Sequence, residues 1–167
     1  MVSPVIVIMG VSCSGKTAVG RALAQRLKCQ FFDGDDFHPP DNVAKMSKGI
    51  PLDDQDRRPW LVALHDLISH HLSQGSPAVV TCSALKKDYR CLLAEGNAGL
   101  VFVYLKGDYD LIWRRMSARE DHYMKTSMLR SQFDDLEEPS AGKALSVEIT
   151  RPPDEIVDII MEYLGTE

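Results

Sequence analysis

The sequence has no C-x-x-C pair, no block of basic residues and no apolar run near the length of a membrane span. Each absence removes a class of protein. The four cysteines, at positions 13, 29, 82 and 91, do not form the pairs that a zinc ribbon or a thioredoxin-like centre needs. In a chain of 167 residues with no signal-peptide pattern they do not read as a disulfide framework either. The formal net charge is -5 with both signs scattered, so a broad nucleic-acid surface is not expected. The opening MVSPVIVIMG lacks a basic n-region, and its apolar run is too short for a signal h-region or a span. No internal repeat or low-complexity linker breaks the chain. These features predict one domain over 1–167, in the cytoplasm, with reduced thiols and neither membrane nor nucleic acid as a partner.

Hydrophobic residues make up 44% of the chain, enough for a real core. Val5 to Met9 is a continuous, mostly β-branched run, the pattern of a strand buried on both faces of a parallel sheet. A Gly-rich turn follows, then a helical pattern in which Val19, Leu23 and Leu27 recur every four residues. Further strands are predicted at 31–33, 78–82, 100–105 and 145–150. Helices are predicted over 57–74, 86–95, 108–119 and the C-terminal residues, where Ile156, Ile160 and Tyr163 would share a face. Strands alternating with helices give an α/β fold, a five-stranded parallel sheet with helices on both faces. Such sheets bind ligands beyond the carboxyl ends of their strands. The polar stretch 120–142 interrupts the alternation and is the candidate mobile cover, a lid over approximately 119–142.

Gly10, Val11, Ser12, Cys13, Ser14, Gly15, Lys16 and Thr17 match G-x-x-x-x-G-K-S/T at every fixed position, between a buried strand and an amphipathic helix. In such a P-loop the glycines turn backbone N–H groups inward, and the helix N-terminus adds partial positive charge. Lys16 can reach the β and γ phosphates of ATP, and the Thr17 hydroxyl can ligate Mg²⁺. The GTPase D-x-x-G and N-K-x-D are missing, and the third strand does not end in the Asp of a motor ATPase. The carboxylates follow strand two instead, in Asp33-Gly34-Asp35-Asp36. Asp33 is placed on the metal side and Asp35 on the acceptor hydroxyl, as general base. A solvated acidic turn is the plainer reading of the same residues.

Several longer stretches are more specific than the P-loop. They are MGVSCSGK at 9–16, FFDGDDFHPPDNVAKMSKGIPLDDQDRRPWL at 31–61, CSALKKDYR at 82–90, VYLKGD at 103–108, Arg119 to Tyr123, and SQFDDLEEP at 131–139. Together they span most of the chain, and in them it resembles the gluconokinases of the shikimate kinase-like P-loop group. That resemblance implies transfer of a phosphoryl group from ATP to D-gluconate, and a homodimer. Another small-molecule kinase, for shikimate or a different sugar acid, or a nucleotide-binding regulatory module that has lost catalysis, stays open.

Gluconate is a linear polyhydroxy acid, so its site needs cations for the carboxylate and polar groups for the hydroxyls. The cations expected near the pocket are Lys45, Arg57, Lys86 and Arg90, with His38 and Asp35 on the hydroxyls. Arg57 can clamp a carboxylate through two parallel hydrogen bonds, which a lysine cannot. For each cation the plainer reading is a surface charge or a cap. Asp53, Asp54 and Asp56 read as helix N-terminal charges. In related kinases a lid supplies arginines. Arg115 and Arg119, one helical turn apart, are expected to reach the phosphates, with His122 as a lid contact. Two residues depart from the family pattern. Cys13 stands where glycine is usual, and Asp121 replaces a glycine before the lid histidine, removing backbone freedom at an expected hinge.

Overall fold

The structure, a computed structural model, describes residues 3–119 and 126–166. Five parallel strands form one sheet in the order β2-β3-β1-β4-β5: β1 Val5–Met9, β2 Gln30–Asp33, β3 Ala78–Thr81, β4 Leu100–Lys106 and β5 Leu145–Glu148. Around it lie α1 Lys16–Leu27, α2 Pro40–Ser47, α3 Asp54–Ser73, α4 Lys87–Ala94, α5 Tyr109–Ser117, α6 Thr126–Asp135 and α7 Pro153–Leu164. A 3-10 turn, Gly34–Phe37, follows β2. The α/β architecture is the one expected. Among the described residues no helix is long and apolar enough to cross a membrane.

β1 is central because every one of its residues is apolar, and all five are fully buried. Its side chains alternate between two cores. Ile6 and Ile8 pack with α1, α5 and α7, while Val5, Val7 and Met9 pack with α3 and α4. The sheet's order reverses beside β1, so the loops leaving β1, β2 and β3 converge at its carboxyl edge.

Local chemistry sets the helix starts. α3 opens on a reciprocal capping box, Asp53 accepting from the Asp56 N–H and Asp56 from the Asp53 N–H. The acidic cluster before Arg57 thus has the helix-start role expected of it. Asp108 caps α5 through the Leu111 N–H. Three expectations need correction. Tyr163 does not share the buried face of α7: it is exposed, and Ile156, Val157, Ile160 and Met161 line the core. α5 ends at Ser117, so Arg119 lies beyond the helix rather than one turn along it from Arg115. Part of the stretch expected as a polar cover, 126–135, is helix α6, with Met128 and Leu129 buried against the main core.

Candidate active site

The P-loop runs from the end of β1 into α1. Gly15 is the N-cap of α1 with φ 95, and it offers no side-chain cap. The first turn carries no acidic residue, which leaves its N–H groups open to an anion. Cys13 also lies in the left-handed region, at φ 62. That is the conformation for which the glycine expected there has no steric cost. Lys16 folds back over the loop, donating from Nζ to the carbonyls of Gly10 and Val11 at 2.9 and 2.8 Å. Burial pulls its pKa below the ordinary lysine value, and the nearby Asp35 carboxylate opposes that.

The turn after β2 is built just as tightly. Gly34 lies so close to β3 that a Cβ there would stand 1.9 Å from the Thr81 carbonyl oxygen, so only glycine fits. Its N–H donates to the Thr81 hydroxyl, and its carbonyl accepts from the Trp60 indole at 2.7 Å. Asp33 caps the turn by accepting the Asp35 N–H at 3.0 Å, and it takes a second bond from the Thr81 hydroxyl. Asp33 is therefore fixed by backbone and sheet, while the Asp35 carboxylate projects outward, its side chain 65% exposed.

Two cavities meet here. One is lined by Cys13, Gly15, Thr17, Asp33, Thr81, Cys82 and Arg119. The other is lined by His38, Met46, Arg57, Trp60, Ser83 and Leu85, with Met128, Ser131 and Gln132 from α6. Ser12, Lys16 and Asp35 line both. The lysine and the carboxylate thus stand on the boundary between the P-loop cradle and a second, less polar chamber.

Arg57 reaches that chamber from α3 and is 7% exposed. Its Nη1 donates to the Tyr89 hydroxyl at 2.9 Å and to Asp135 of α6 at 3.0 Å. Tyr89 passes its own proton towards Asp54, which also holds Lys86 at 2.9 Å. The Tyr89 bond, followed by the Lys86 bond, keeps the Asp54 carboxyl below its usual range. His38 is stacked on Trp60 at 4.2 Å, and its side chain is 4% exposed.

Other expected site residues are placed elsewhere. Lys45 is held by both oxygens of Asp56, at 3.0 and 2.8 Å, and does not line the chamber. Arg90 is spent on backbone, donating to the carbonyls of Ala84, Leu85 and Glu137. It braces the loop after β3 rather than facing a ligand. Lys86 lies at the outer rim with Arg57, Ser131 and Asp135. Arg115 donates to the Ile149 carbonyl at 2.7 Å, whereas Arg119 faces the cradle. His122 and Asp121 lie outside the described residues.

Sequence reasoning missed the contribution of α6. Gln132 accepts the Ser12 N–H at 2.7 Å, so the helix touches the P-loop itself. It also missed Trp60, which shapes the Asp33–Asp35 turn, and Asn42, four residues after His38. The repeated polar positions of 131–135 were the available signal.

The shikimate kinase family profile matches residues 12–164. The thermoresistant gluconokinase of Escherichia coli K12 is 46% identical over 162 residues, covering 96% of this chain and 93% of that protein. The crystal structure of a gluconokinase from Sinorhizobium meliloti 1021 is 42% identical, covers 98% of this chain and 93% of its own, and superposes with a TM-score of 0.87. An unliganded sugar kinase from Janibacter sp. HTCC2649 reaches a TM-score of 0.92 at 37% identity, covering 98% and 95% of the two chains.

Proposed function

The chain belongs to the gluconokinase family of shikimate kinase-type P-loop enzymes, and on that premise we propose that it transfers the γ-phosphoryl group of ATP to the terminal hydroxyl of D-gluconate. The observation that carries this reading is the boundary at Lys16 and Asp35. Any acceptor in the His38–Arg57 chamber meets the phosphate cradle at those two groups. The substrate oxygen bonds to the γ phosphorus as the bond from that phosphorus to the leaving ADP oxygen breaks. The hydroxyl proton passes to Asp35.

The cradle suits a triphosphate. It has an uncapped helix N-terminus, left-handed loop residues and the part-buried Lys16 amine folded over the loop. Thr17 and Asp33 offer the hard oxygen donors that would hold Mg²⁺, which neutralises phosphate charge when bound. Lys16 and Arg119 compensate the charge that develops on the transferred group. Arg57 takes the gluconate carboxylate, and His38 takes a hydroxyl. Lys86 stands at the mouth, where it can draw the anion in. We further propose that the enzyme is a cytoplasmic homodimer with a lid over approximately 119–142, of which α6 is the part docked on the core. None of the four cysteines is joined in a disulfide, which accords with a reducing compartment.

The test is ADP release with MgATP and D-gluconate against shikimate, other sugar acids and no acceptor. Gluconate-dependent release with 6-phosphogluconate as product is expected. Asp35→Asn should lower kcat by about 10²–10⁴-fold, the worth of a general base, while ATP still binds. Turnover with a different acceptor moves the substrate assignment. ATP binding without turnover on any acceptor favours a regulatory module.

A further inference from the structure

His38 is fixed on every side but one. Its backbone N–H donates to the Asp35 carbonyl, and its ψ of 135 is the extended geometry that Pro39 demands of the residue before it. Its ring lies nearly parallel to Trp60, which is itself anchored to the Gly34 carbonyl. Its Nδ1 lies 3.3 Å from Nδ2 of Asn42, a side chain buried at 4% exposure on the first turn of α2.

The Asn42 amide has a second contact that decides its orientation. Its Nδ2 is 2.9 Å from the backbone carbonyl of Asp56. A carbonyl oxygen only accepts, so the group facing it is the NH₂ and not the amide oxygen. The other proton of that NH₂ points at His38 Nδ1, and an NH₂ only donates. Nδ1 must then be the lone-pair nitrogen, and the proton of the neutral ring sits on Nε2.

Nε2 lies 4.0 Å from Oδ1 of Asp35, too far for a direct hydrogen bond. An oxygen about 2.8 Å from each atom closes a triangle on that base. Both residues line the acceptor chamber, so that position is open to a substrate. An alcohol oxygen carries one proton and two lone pairs. Held there, it gives its proton to Asp35, accepts from Nε2–H with one lone pair, and keeps the other for phosphorus.

We propose that Asn42 sets the tautomer of His38, and that the Nε2–H fixed in this way orients the acceptor hydroxyl against Asp35. His38 is the substrate-positioning group and Asn42 the positioning residue behind it. This rests on the kinase reading above and adds a residue that the reading did not include. A neutral donor suits the task better than an imidazolium, which would pair with Asp35 and lower its basicity. Burial, with the charge of Arg57 adding, holds the ring neutral, its pKa pulled down to about 4.

Long-range ¹H–¹⁵N NMR of the imidazole reads the tautomer without substrate. The wild type is expected to show Nε2–H. N42D, whose carboxylate can only accept, should move the proton to Nδ1 or leave the ring doubly protonated. Its KM for gluconate should rise about fivefold to tenfold, the worth of one neutral hydrogen bond, with KM for ATP nearly constant. A second pair of variants guards against misfolding of N42D. Glutamine can place an N–H near Nε2 and asparagine near Nδ1, so H38Q should keep at least about tenfold more kcat/KM for gluconate than H38N. An Nδ1–H tautomer in the wild type, or equal loss in H38Q and H38N, overturns the proposal while gluconate turnover stands. A wild type without gluconate turnover overturns the kinase reading and the role of His38 towards an alcohol together, whatever tautomer the NMR shows.

Discussion

At the scale of single residues, the site divides into groups whose partners are near in sequence and groups whose partners come from the fold. The placement of the P-loop, Asp33 and Asp35 just beyond β1 and β2 was legible because it depends on local spacing. Lys45 and Arg90 were not, because the Asp56 carboxylate and three backbone carbonyls claim them only after folding. His38 lies between these cases, and burial makes it testable by pH. In the unfolded chain it titrates near 6.5, and in the fold at about 4. Between those values the unfolded chain binds a proton that the folded chain refuses. Stability therefore falls as pH drops from 6.5 to 4, and above 6.5 this group contributes no slope. The shift corresponds to at most about 3 kcal/mol. His65 acts with the opposite sign, because a backbone bond at Glu95, and then Asp66, raise its pKa. The measurement is accordingly a difference. Urea unfolding of the wild type should weaken more steeply than that of H38Q between these pH values. Parallel curves would mean that His38 titrates as an ordinary exposed imidazole.

At the scale of elements, every strand was legible, with ends displaced by at most two residues, as expected where ladders fray. α2 and α6 were not. α2 has eight residues, capped by Pro39 and opening on Pro40, so it offers little more than two turns of pattern. α6 carries Met128, Leu129 and Phe133 among polar residues and lacks a continuous apolar stripe. It is helical because the fold gives it partners. Leu129 is fully buried, Gln132 accepts from the P-loop, and Asp135 pairs with Arg57. Among the described residues, removing the Asp135 carboxylate leaves the Arg57 guanidinium with the Tyr89 hydroxyl as its hydrogen-bond partner. Since Asp135 is 25% exposed, the loss should fall below the full cost of breaking a buried pair, at about 2 kcal/mol. Asp135→Ala should therefore speed amide exchange over 126–135 by about 10–30-fold while β1 and β3 keep their protection. No change over 126–135 would show that Met128 and Leu129, not the ion pair, hold the helix down.

At the scale of the whole molecule, β1 couples the two faces of the sheet. Alternate residues of one five-residue strand enter opposite cores, and the P-loop leaves its end. The site draws on both sides, with Arg57 and Trp60 from the α3 face and α6 from the other. If the faces melted separately, the boundary between cradle and chamber would not survive the loss of either. Leu64 and Ile160 test this, since both are fully buried, one in each core. Each change to alanine should cost about 2–5 kcal/mol. They share no partner within a core, so the double variant should lose the sum to within about 0.5 kcal/mol. Its unfolding should remain one transition with an unchanged denaturant slope, because β1 cannot be ordered on one face alone. A second transition, or a reduced slope in either single variant, would mean that one helical layer unfolds while the sheet persists. ATP binding and acceptor binding would then be lost at different denaturant concentrations, instead of together as a shared Lys16 and Asp35 require.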